Sequence, residues 1–267
     1  MSHAMRGHLR ALLRILALAA VTGYHAAVLS ARLVSARRDE DRLRRRLDQF
    51  RRWCRAVARI SGMRIEPDGS PAAPPVLLVA NHLSYMDVIA LGATSPAIFV
   101  AKAPVARWPL LGPITRLAGT IFIDRARMSD LKRALAQMGA VLDAGFRVAF
   151  FPEGTSTAGD RVLPFRSPLL DAAIRRGLPV QPAAIRYETA PGDPPAGEAV
   201  CWWGDAVMAP HLWRLLGLRG FTAAVRYRPA RTGPDRKQLA SELRDDVCEA
   251  LGLSEERSEE RCLPGTA

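Results

Sequence analysis

Apolar and polar residues divide the chain into three regions, of which the first carries a long apolar run. Residues 15–31 are predominantly apolar and are flanked by Arg14 and Arg32. A helix of this length spans roughly 26 Å, slightly less than the roughly 30 Å hydrocarbon core of a bilayer. The pattern predicts a membrane-anchoring helix within residues 1–34 that spans the bilayer or lies at its interface. A buried core helix is the remaining alternative.

The second region, residues 35–62, is rich in arginine but carries a regular apolar stripe. Its apolar residues recur at spacings of three and four, at Leu43, Leu47, Phe50, Trp53, Val57 and Ile60. This period predicts an amphipathic juxtamembrane helix. The stripe suits either a membrane surface or packing against the domain that follows, and both interpretations stay open.

In the third region, residues 63–254, short apolar runs alternate with helical patterns. The predicted strands are 76–80, 98–101, 120–123, 148–151, 180–185, 200–203 and 223–227. One helix is predicted to begin after Ser129 and another at Pro234, and residues 191–197 are predicted to form a surface loop. This alternation predicts an α/β domain with a mixed, largely parallel sheet flanked by helices. Residues 255–267 are predicted to be a polar tail.

The charge of the chain is concentrated beside the apolar run. The chain has 267 residues, 49% of them hydrophobic, and a net charge of +12. Eleven arginines face four acids between Arg32 and Arg59, a local excess of +7. This placement favours an anionic membrane surface over nucleic acid as the partner, since no nucleic-acid recognition motif is present. Because the heavier basic flank follows the helix, the domain is predicted to face the cytoplasm from the inner membrane.

The cysteines indicate neither a disulfide framework nor a metal site. Cys54, Cys201, Cys248 and Cys262 are widely separated. We predict that they are reduced and structural, consistent with a cytoplasmic-facing domain. No His, Cys and Asp cluster has metal-ligand spacing, so no metal is expected.

The segment 81–87 (NHLSYMD) combines a histidine and an aspartate at the end of a predicted strand. An α/β sheet normally presents its active site at this place. Histidine is the base best matched to neutral pH, and it works better when a carboxylate fixes its tautomer. Asp87 can do this for His82 if it lies in the first turns of a following helix. The alternative is a capping Asn81 beside a surface histidine and an unrelated aspartate.

The segment 151–156 (FPEGTS) follows the predicted strand 148–151 and is suited to an anion. Gly154 lets the backbone approach a ligand closely, and the N–H groups and hydroxyls of Thr155 and Ser156 can receive a phosphate. Glu153 is interpreted as an acceptor for ligand hydroxyls or as a partner that orients a nearby arginine. The alternative is an ordinary strand-ending turn.

With the segments 119–125 (GTIFIDR) and 178–183 (LPVQPA), these blocks resemble the glycerolipid acyltransferase family in content and order. Its type members are the bacterial 1-acylglycerol-3-phosphate acyltransferases, and the resemblance covers residues from about 75 to 230. It implies transfer of a fatty acyl group from acyl-CoA or acyl carrier protein to the hydroxyl of a lysolipid, without a cofactor. It also implies that His82 and Asp87 are catalytic.

The resemblance further implies a substrate-binding set. Its members are Asn81, Lys102, Arg125, Glu153, Gly154, Thr155, Ser156 and Arg166. Arg125 ends the second block, where the family binds phosphate, and its planar donor fork suits that ligand. Lys102 would add a second positive charge.

The acceptor headgroup stays open at this stage because the chain departs from the family after Phe165. Many members have a lysine and a glycine there, where this chain has Arg166 and Ser167. We expect lysophosphatidic acid first, giving phosphatidic acid. A lyso-ornithine lipid is the alternative, because the region around Trp202 and His211 resembles sequences linked to that acceptor; His211 itself is interpreted as structural. A non-catalytic basic membrane-binding protein is the alternative from another class, and the intact His82 and Asp87 argue against it.

Overall fold

The computed structural model describes residues 3–108, 111–124 and 127–253, without the side chains of residues 3, 4 and 111. Two predictions lie outside these residues: the position of Arg125 and the polar tail 255–267. The helices are α1 (His3–Val34), α2 (Asp39–Ser61), α3 (Met86–Thr94), α4 (Leu111–Ala118), α5 (Met128–Asp143), α6 (Asp171–Ile174), α7 (Ala196–Ala199), α8 (Met208–Gly217) and α9 (Arg236–Leu251). The strands are β1 (Met63–Asp68), β2 (Val76–Ala80), β3 (Ile98–Lys102), β4 (Ile121–Ile123), β5 (Arg147–Phe150), β6 (Val180–Thr189) and β7 (Phe221–Tyr227).

The seven strands form one sheet in the order β1-β7-β6-β2-β5-β3-β4. All neighbours are parallel except β6 and β7, which pair antiparallel from Ala183↔Tyr227 to Thr189↔Phe221. The predicted mixed, largely parallel sheet flanked by helices is confirmed. Because β2, β5 and β3 are parallel, their carboxyl ends meet at one edge of the sheet.

Helices cover both faces of the sheet, which explains the continuous apolar runs of its central strands. All five residues of β2 are buried. Leu78 and Ala80 pack in one apolar cluster with residues of α2, α3 and α8, whereas Leu77 and Val79 pack in a second cluster with residues of α5 and α9. Burial on both faces is what fixes the position of the residues that follow β2.

Three larger differences separate the predicted strands from the observed ones. The predicted strand 200–203 is wrong: Val200 follows α7, and residues 201–203 have no regular structure. Val200 and Cys201 are buried in an apolar cluster without pairing in the sheet, and Trp203 is 47% exposed. The strand β1 was not predicted because most of it is polar or exposed, and it is an edge strand that pairs only with β7. Strand β6 also continues four residues beyond the predicted end.

The apolar stripe of α2 packs against the domain. Leu47 and Val57 are buried, and Phe50 and Trp53 pack against the core cluster below α2. The packing interpretation of the stripe is therefore confirmed, while Arg44, Arg52 and Arg59 of the same helix are exposed.

Helix α1 is fastened to the domain near both of its ends. Near its start, Arg10 donates to the carbonyl of Gly217, and Arg14 donates to the carbonyls of Leu216 and Leu218 at 3.0 and 2.7 Å. These carbonyls close α8, where the helix dipole favours a cation. Near its end, Arg32 donates to Asp48 of α2 at 3.1 Å. The helix therefore lies along the domain over its whole length.

The other side of α1 is an exposed apolar face. Leu9, Leu12, Leu13, Leu16 and Tyr24 are between 46% and 65% exposed. The helix is long and apolar enough to cross a membrane by length and composition, and only 6% of its apolar window is buried, unlike a core helix. The bonded side of α1 thus faces the domain, and its free side is suited to lipid.

Replacing Arg14 with alanine is expected to lower the free energy of unfolding by about 1–3 kcal/mol, because a half-buried cation loses its carbonyl partners. Urea denaturation in detergent micelles, followed by tryptophan fluorescence, measures the change. The matched control is Arg6→Ala, an exposed arginine on the same helix. Equal stability of the two variants would show that α1 is not held at α8.

Candidate active site

His82 and Asp87 are brought together by the loop between β2 and α3. Asp87 lies in the first turn of α3, and the Nδ1 atom of His82 lies 2.7 Å from its Oδ2 atom. The side chain of His82 is 24% exposed, and that of Asp87 is 0% exposed. The pairing expected from the five-residue spacing is therefore present, with the carboxylate inside and the imidazole at the surface of the site.

The Asp87 carboxylate has donors on both oxygens. Oδ2 also accepts from the backbone N–H groups of Leu83 at 2.7 Å and Ser84 at 2.9 Å. Oδ1 accepts from the hydroxyl of Tyr187 at 2.7 Å. A carboxylate can be removed from water only when such bonds replace its hydration. The same bonds fold the loop around the carboxylate and set its orientation toward His82.

The bond to Asp87 assigns the two ring nitrogens of His82 to different tasks. A carboxylate accepts, so Nδ1 carries the proton and the Nε2 lone pair is free to take another. Nε2 makes no hydrogen bond within the described part of the chain. The ring of Phe151 stacks on the imidazole with centroids 4.2 Å apart and planes at 12°. His82 is therefore held in one orientation, with one face of its ring covered and Nε2 available as an acceptor.

Glu153 is buried behind this loop and is hydrogen-bonded to it. Its side chain is 3% exposed, and its two oxygens accept from the backbone N–H groups of His82 at 2.6 Å and Leu163 at 2.7 Å. Burial raises the pKa of Glu153 to about 7, against the opposing effect of these two donors. The sequence interpretation gave this carboxylate to ligand hydroxyls or to a nearby arginine, whereas in the structure its two oxygens accept from two backbone N–H groups and join two loops.

Asn81 is also used by the protein itself. It is 1% exposed, its amide nitrogen donates to the carbonyl of Ile185 at 3.0 Å, and its oxygen accepts from the N–H of Ile185 at 2.7 Å. These bonds continue the pairing of β2 with β6 by one residue beyond Ala80↔Ala183. The structure thus places Asn81 as a tie between strands rather than at the surface of the site.

The turn 154–156 presents free backbone donors beside His82. Gly154 has φ +79°, a conformation that favours glycine. The N–H groups of Thr155 and Ser156 make no hydrogen bond to any residue that the structure describes. The Ser156 hydroxyl, in contrast, donates to the carbonyl of Trp202. The backbone of the turn, more than its hydroxyls, is available to an anion.

Cationic residues lie at the same edge of the sheet. Lys102 ends β3 and is exposed, and its neighbour in register on β4 is Ile123. Strands β2 and β3 are separated by β5, which puts their ends about 10 Å apart. Arg166 is exposed, and its backbone N–H donates to the carbonyl of Pro152 at 3.0 Å. The phosphate role predicted for Arg125 falls on a residue outside the described ranges.

Sequence reasoning missed two residues that contact the catalytic loop. Trp202 donates its backbone N–H to the carbonyl of Leu83 at 2.7 Å, which explains why its segment is not a strand. Tyr187 contacts Asp87 from β6, beyond the predicted end of that strand. Tyr187 lies two residues after Ile185, so in a strand both side chains are on the same face of the sheet. A prediction that extended the strand past Ile185 would therefore have placed Tyr187 in the core.

His211 is structural, as predicted. It is 1% exposed, its Nδ1 lies 3.1 Å from the Tyr85 hydroxyl, and its Nε2 lies 3.0 Å from the carbonyl of Cys201. Burial lowers the pKa of His211, which keeps it neutral. The described cysteines Cys54, Cys201 and Cys248 are free and buried. Among the described residues, no group of three or more His, Cys, Asp or Glu side chains could hold a metal ion.

The buried Glu153 predicts a pH-dependent stability. Because its pKa is raised from 4.5 to about 7, its contribution is complete below pH 4.5 and is lost as the pH rises through 7. Between pH 5 and 8 the wild type is expected to lose on the order of 2 kcal/mol of unfolding free energy relative to Glu153→Gln, which does not titrate. Denaturation of both proteins at both pH values measures this gap. A gap that is the same at pH 5 and pH 8 would contradict the assignment.

Comparisons with known proteins agree with this geometry. The Acyltransferase family model matches residues 64–186. A lyso-ornithine lipid O-acyltransferase of Rhodobacter capsulatus is 35% identical over 210 residues, which cover 74% of this chain and 74% of the relative. A 1-acyl-sn-glycerol-3-phosphate acyltransferase of Neisseria meningitidis is 31% identical over 175 residues, covering 64% of this chain and 68% of the relative.

A solved structure shares the fold. The crystal structure of the 1-acyl-sn-glycerophosphate acyltransferase PlsC of Thermotoga maritima superimposes with a TM-score of 0.72 at 17% identity, and it covers 99% of this chain and 100% of its own. At this identity the match shows a common architecture alone. Together with the sequence relatives, the findings show that the chain belongs to the acyltransferase family, as an enzyme of the 1-acylglycerol-3-phosphate O-acyltransferase type.

Proposed function

We propose that the protein transfers a fatty acyl group from acyl-CoA or acyl carrier protein to the free hydroxyl of a lysolipid, with His82 as the base. The observation that carries this proposal is the 2.7 Å contact between His82 Nδ1 and the buried Asp87 carboxylate, which leaves Nε2 free at the surface of the site. A neutral hydroxyl attacks a thioester poorly, and a positioned base removes this limit.

The reaction is a direct displacement. The acceptor hydroxyl gives its proton to Nε2 of His82 as its oxygen bonds to the thioester carbonyl carbon. The imidazolium that forms is stabilised by Asp87, as in the known histidine–aspartate pairs of acyl transfer. The carbon–sulfur bond then breaks, and the thiolate takes the proton from His82. The thioester is a co-substrate, and the chemistry calls for no cofactor.

The turn 154–156 and the cations around it hold the acceptor in this proposal. The free N–H groups of Thr155 and Ser156 suit an anionic oxygen, either of the headgroup or of the tetrahedral intermediate. Lys102 and Arg166 supply positive charge near the same edge of the sheet, and Arg125 keeps the phosphate role that the family resemblance implies. Asn81 and Glu153 shape the pocket from behind, since their polar atoms bond to the protein backbone.

A lyso-ornithine lipid is the acceptor that the relatives favour. Three enzymes named for it, from Rhodobacter capsulatus, Brucella abortus and Pseudomonas aeruginosa, are each 35% identical over 74–78% of this chain. Lysophosphatidic acid, the acceptor expected from the sequence, is the second candidate. Enzymes named for its acylation are 31% identical over 64% of the chain. Both acceptors carry an anionic group that the basic edge of the sheet can bind.

We also propose that α1 lies in the cytoplasmic leaflet of the inner membrane rather than across it. A spanning α1 would have to draw α8 and α2 into the hydrocarbon region, because it bonds to both. Its exposed leucines would enter the acyl region, as in interfacial helices. Exposed arginines of the α2 region, such as Arg44 and Arg52, would meet lipid phosphates.

The activity test is release of free thiol from acyl-CoA by the detergent-purified protein, offered lyso-ornithine lipid and lysophosphatidic acid in parallel. We expect turnover with lyso-ornithine lipid at least tenfold above that with lysophosphatidic acid. Replacing His82 with alanine should lower kcat by about 1,000-fold or more, since the base is removed. Acyl carrier protein replaces CoA in a second series to identify the donor.

The outcomes of this assay test the headgroup assignment and the mechanism separately. Equal or greater turnover with lysophosphatidic acid would overturn the headgroup assignment and leave the mechanism intact. Wild-type activity in His82→Ala would overturn the mechanism itself. Lys132→Ala, an exposed change on α5 outside the catalytic loop and the turn 154–156, is the matched surface control and should keep the wild-type kcat.

The membrane proposal predicts that α1 leucines set lipid binding. Replacing Leu12, Leu13 and Leu16 with serine should lower the partition coefficient onto phosphatidylethanolamine–phosphatidylglycerol vesicles by about 100-fold or more, from the lost apolar burial. Flotation with nuclease-treated protein measures it, and Met128→Ser, an exposed apolar residue of α5, is the control. Unchanged flotation of the leucine variant would refute the role of α1.

A further inference from the structure

Tyr187 is a buried side chain that contacts the catalytic pair from an unexpected element. It lies on β6, is 6% exposed, and donates its hydroxyl to Oδ1 of Asp87 at 2.7 Å. The two residues are 100 positions apart in the sequence, and the contact joins the sheet core to a loop at its edge. Neither the blocks of the family resemblance nor the predicted strands include this residue.

The direction of the bond is fixed by the chemistry of both groups. A carboxylate only accepts, so the phenol must donate. Burial, followed by the nearby Asp87 charge, raises the pKa of Tyr187 far above its usual range, which keeps the hydroxyl protonated at every working pH. Tyr187 is therefore a permanent donor to Asp87.

The two oxygens of Asp87 differ in the number of their hydrogen-bond donors. Oδ2 holds His82 and the N–H groups of Leu83 and Ser84. Oδ1 has Tyr187 as its one donor among the residues that the structure describes, in a side chain with 0% exposure. Loss of the Tyr187 hydroxyl would leave Oδ1 without a donor and without water. Rotation of the carboxylate toward other donors would then lower its free energy, and its alignment with His82 would change.

The tyrosine itself is held rigidly. Its backbone pairs with Ala223 of β7, and its ring packs edge-on against Phe221 with centroids 6.0 Å apart. Two residues earlier on β6, Ile185 bonds to Asn81 at the end of β2. One strand thus supports both the start of the catalytic loop and the carboxylate at its far end.

We propose that Tyr187 is a positioning residue of acyl transfer, whose hydroxyl fixes the rotation of the Asp87 carboxylate so that Oδ2 stays aligned with His82. The proposal rests on the proposed function of His82 as the base. Tyr187 touches neither substrate, and it acts through Asp87 on the imidazolium that forms during the reaction.

The test is Tyr187→Phe, which removes the hydroxyl and keeps the ring. A misaligned carboxylate stabilises the imidazolium less, so we expect kcat to fall about 10- to 100-fold, as for other residues that orient a catalytic group. The KM values for acyl-CoA and lysolipid should stay within about twofold, since no substrate contact is lost. The acid limb of the pH profile of kcat/KM should move to lower pH.

A second readout needs no turnover. The rate at which diethylpyrocarbonate modifies His82, followed by peptide mass spectrometry, reports the neutral imidazole directly. Its pH midpoint should move to lower pH in Tyr187→Phe, in the same direction as the acid limb. A purely structural role would lower the folded fraction and leave this midpoint unchanged.

The matched control is Tyr227→Phe. Tyr227 is a buried tyrosine of β7 in the same apolar cluster, and its hydroxyl lies 2.7 Å from Thr94 Oγ1 rather than near Asp87. It should keep kcat within about twofold and the wild-type midpoint. The proposal is overturned if Tyr187→Phe matches this control in kcat and in both midpoints. Full activity of His82→Ala would instead overturn the underlying function, so the two failures are distinct.

Discussion

The Asp87 carboxylate, completely removed from water, is the constraint on which the site depends. A buried charge is stable only when donors replace its hydration. Its donors come from the loop on which the base lies and from β6 in the centre of the sheet. In the conformation that supplies these donors, the loop also sets His82 against the carboxylate. The orientation of the base is therefore a consequence of satisfying one buried charge.

A second buried carboxylate supports the same loop from the opposite side. Glu153 accepts the backbone N–H of His82, while Asp87 accepts its ring N–H. Burial raises the pKa of Glu153 to about 7. Glu153 is joined to the turn 154–156, so the base and the anion-binding backbone are parts of one connected structure. A substitution of Asp87 or Glu153 should therefore affect both the orientation of His82 and the conformation of the turn 154–156.

Local patterns predicted the parts of this structure that depend on neighbouring residues. The apolar run of β2 and the five-residue spacing of His82 and Asp87 placed the pair correctly, because both are set within a few residues. The apolar segment 200–203 has the pattern of a strand, yet Trp202 bonds to the carbonyl of Leu83 in the catalytic loop instead of pairing in the sheet. Tyr187 was missed because its partner is 100 residues away and contact at that range depends on the sheet order. The phosphate role of Arg125 and the substrate roles of Lys102 and Arg166 stay predictions.

In the proposed mechanism the acceptor hydroxyl attacks the thioester directly, with no acyl-enzyme. Three possible nucleophiles are poorly placed: burial raises the pKa of Cys201 to about 12, Ser84 is 0% exposed, and the Ser156 hydroxyl donates to the carbonyl of Trp202. The most direct measurement is rapid quenching of the enzyme with acyl-labelled acyl-CoA in the absence of acceptor. The account predicts no protein-bound label and no burst of free thiol until lysolipid is added. A burst equal to the enzyme concentration, with label on a serine or cysteine, would contradict it.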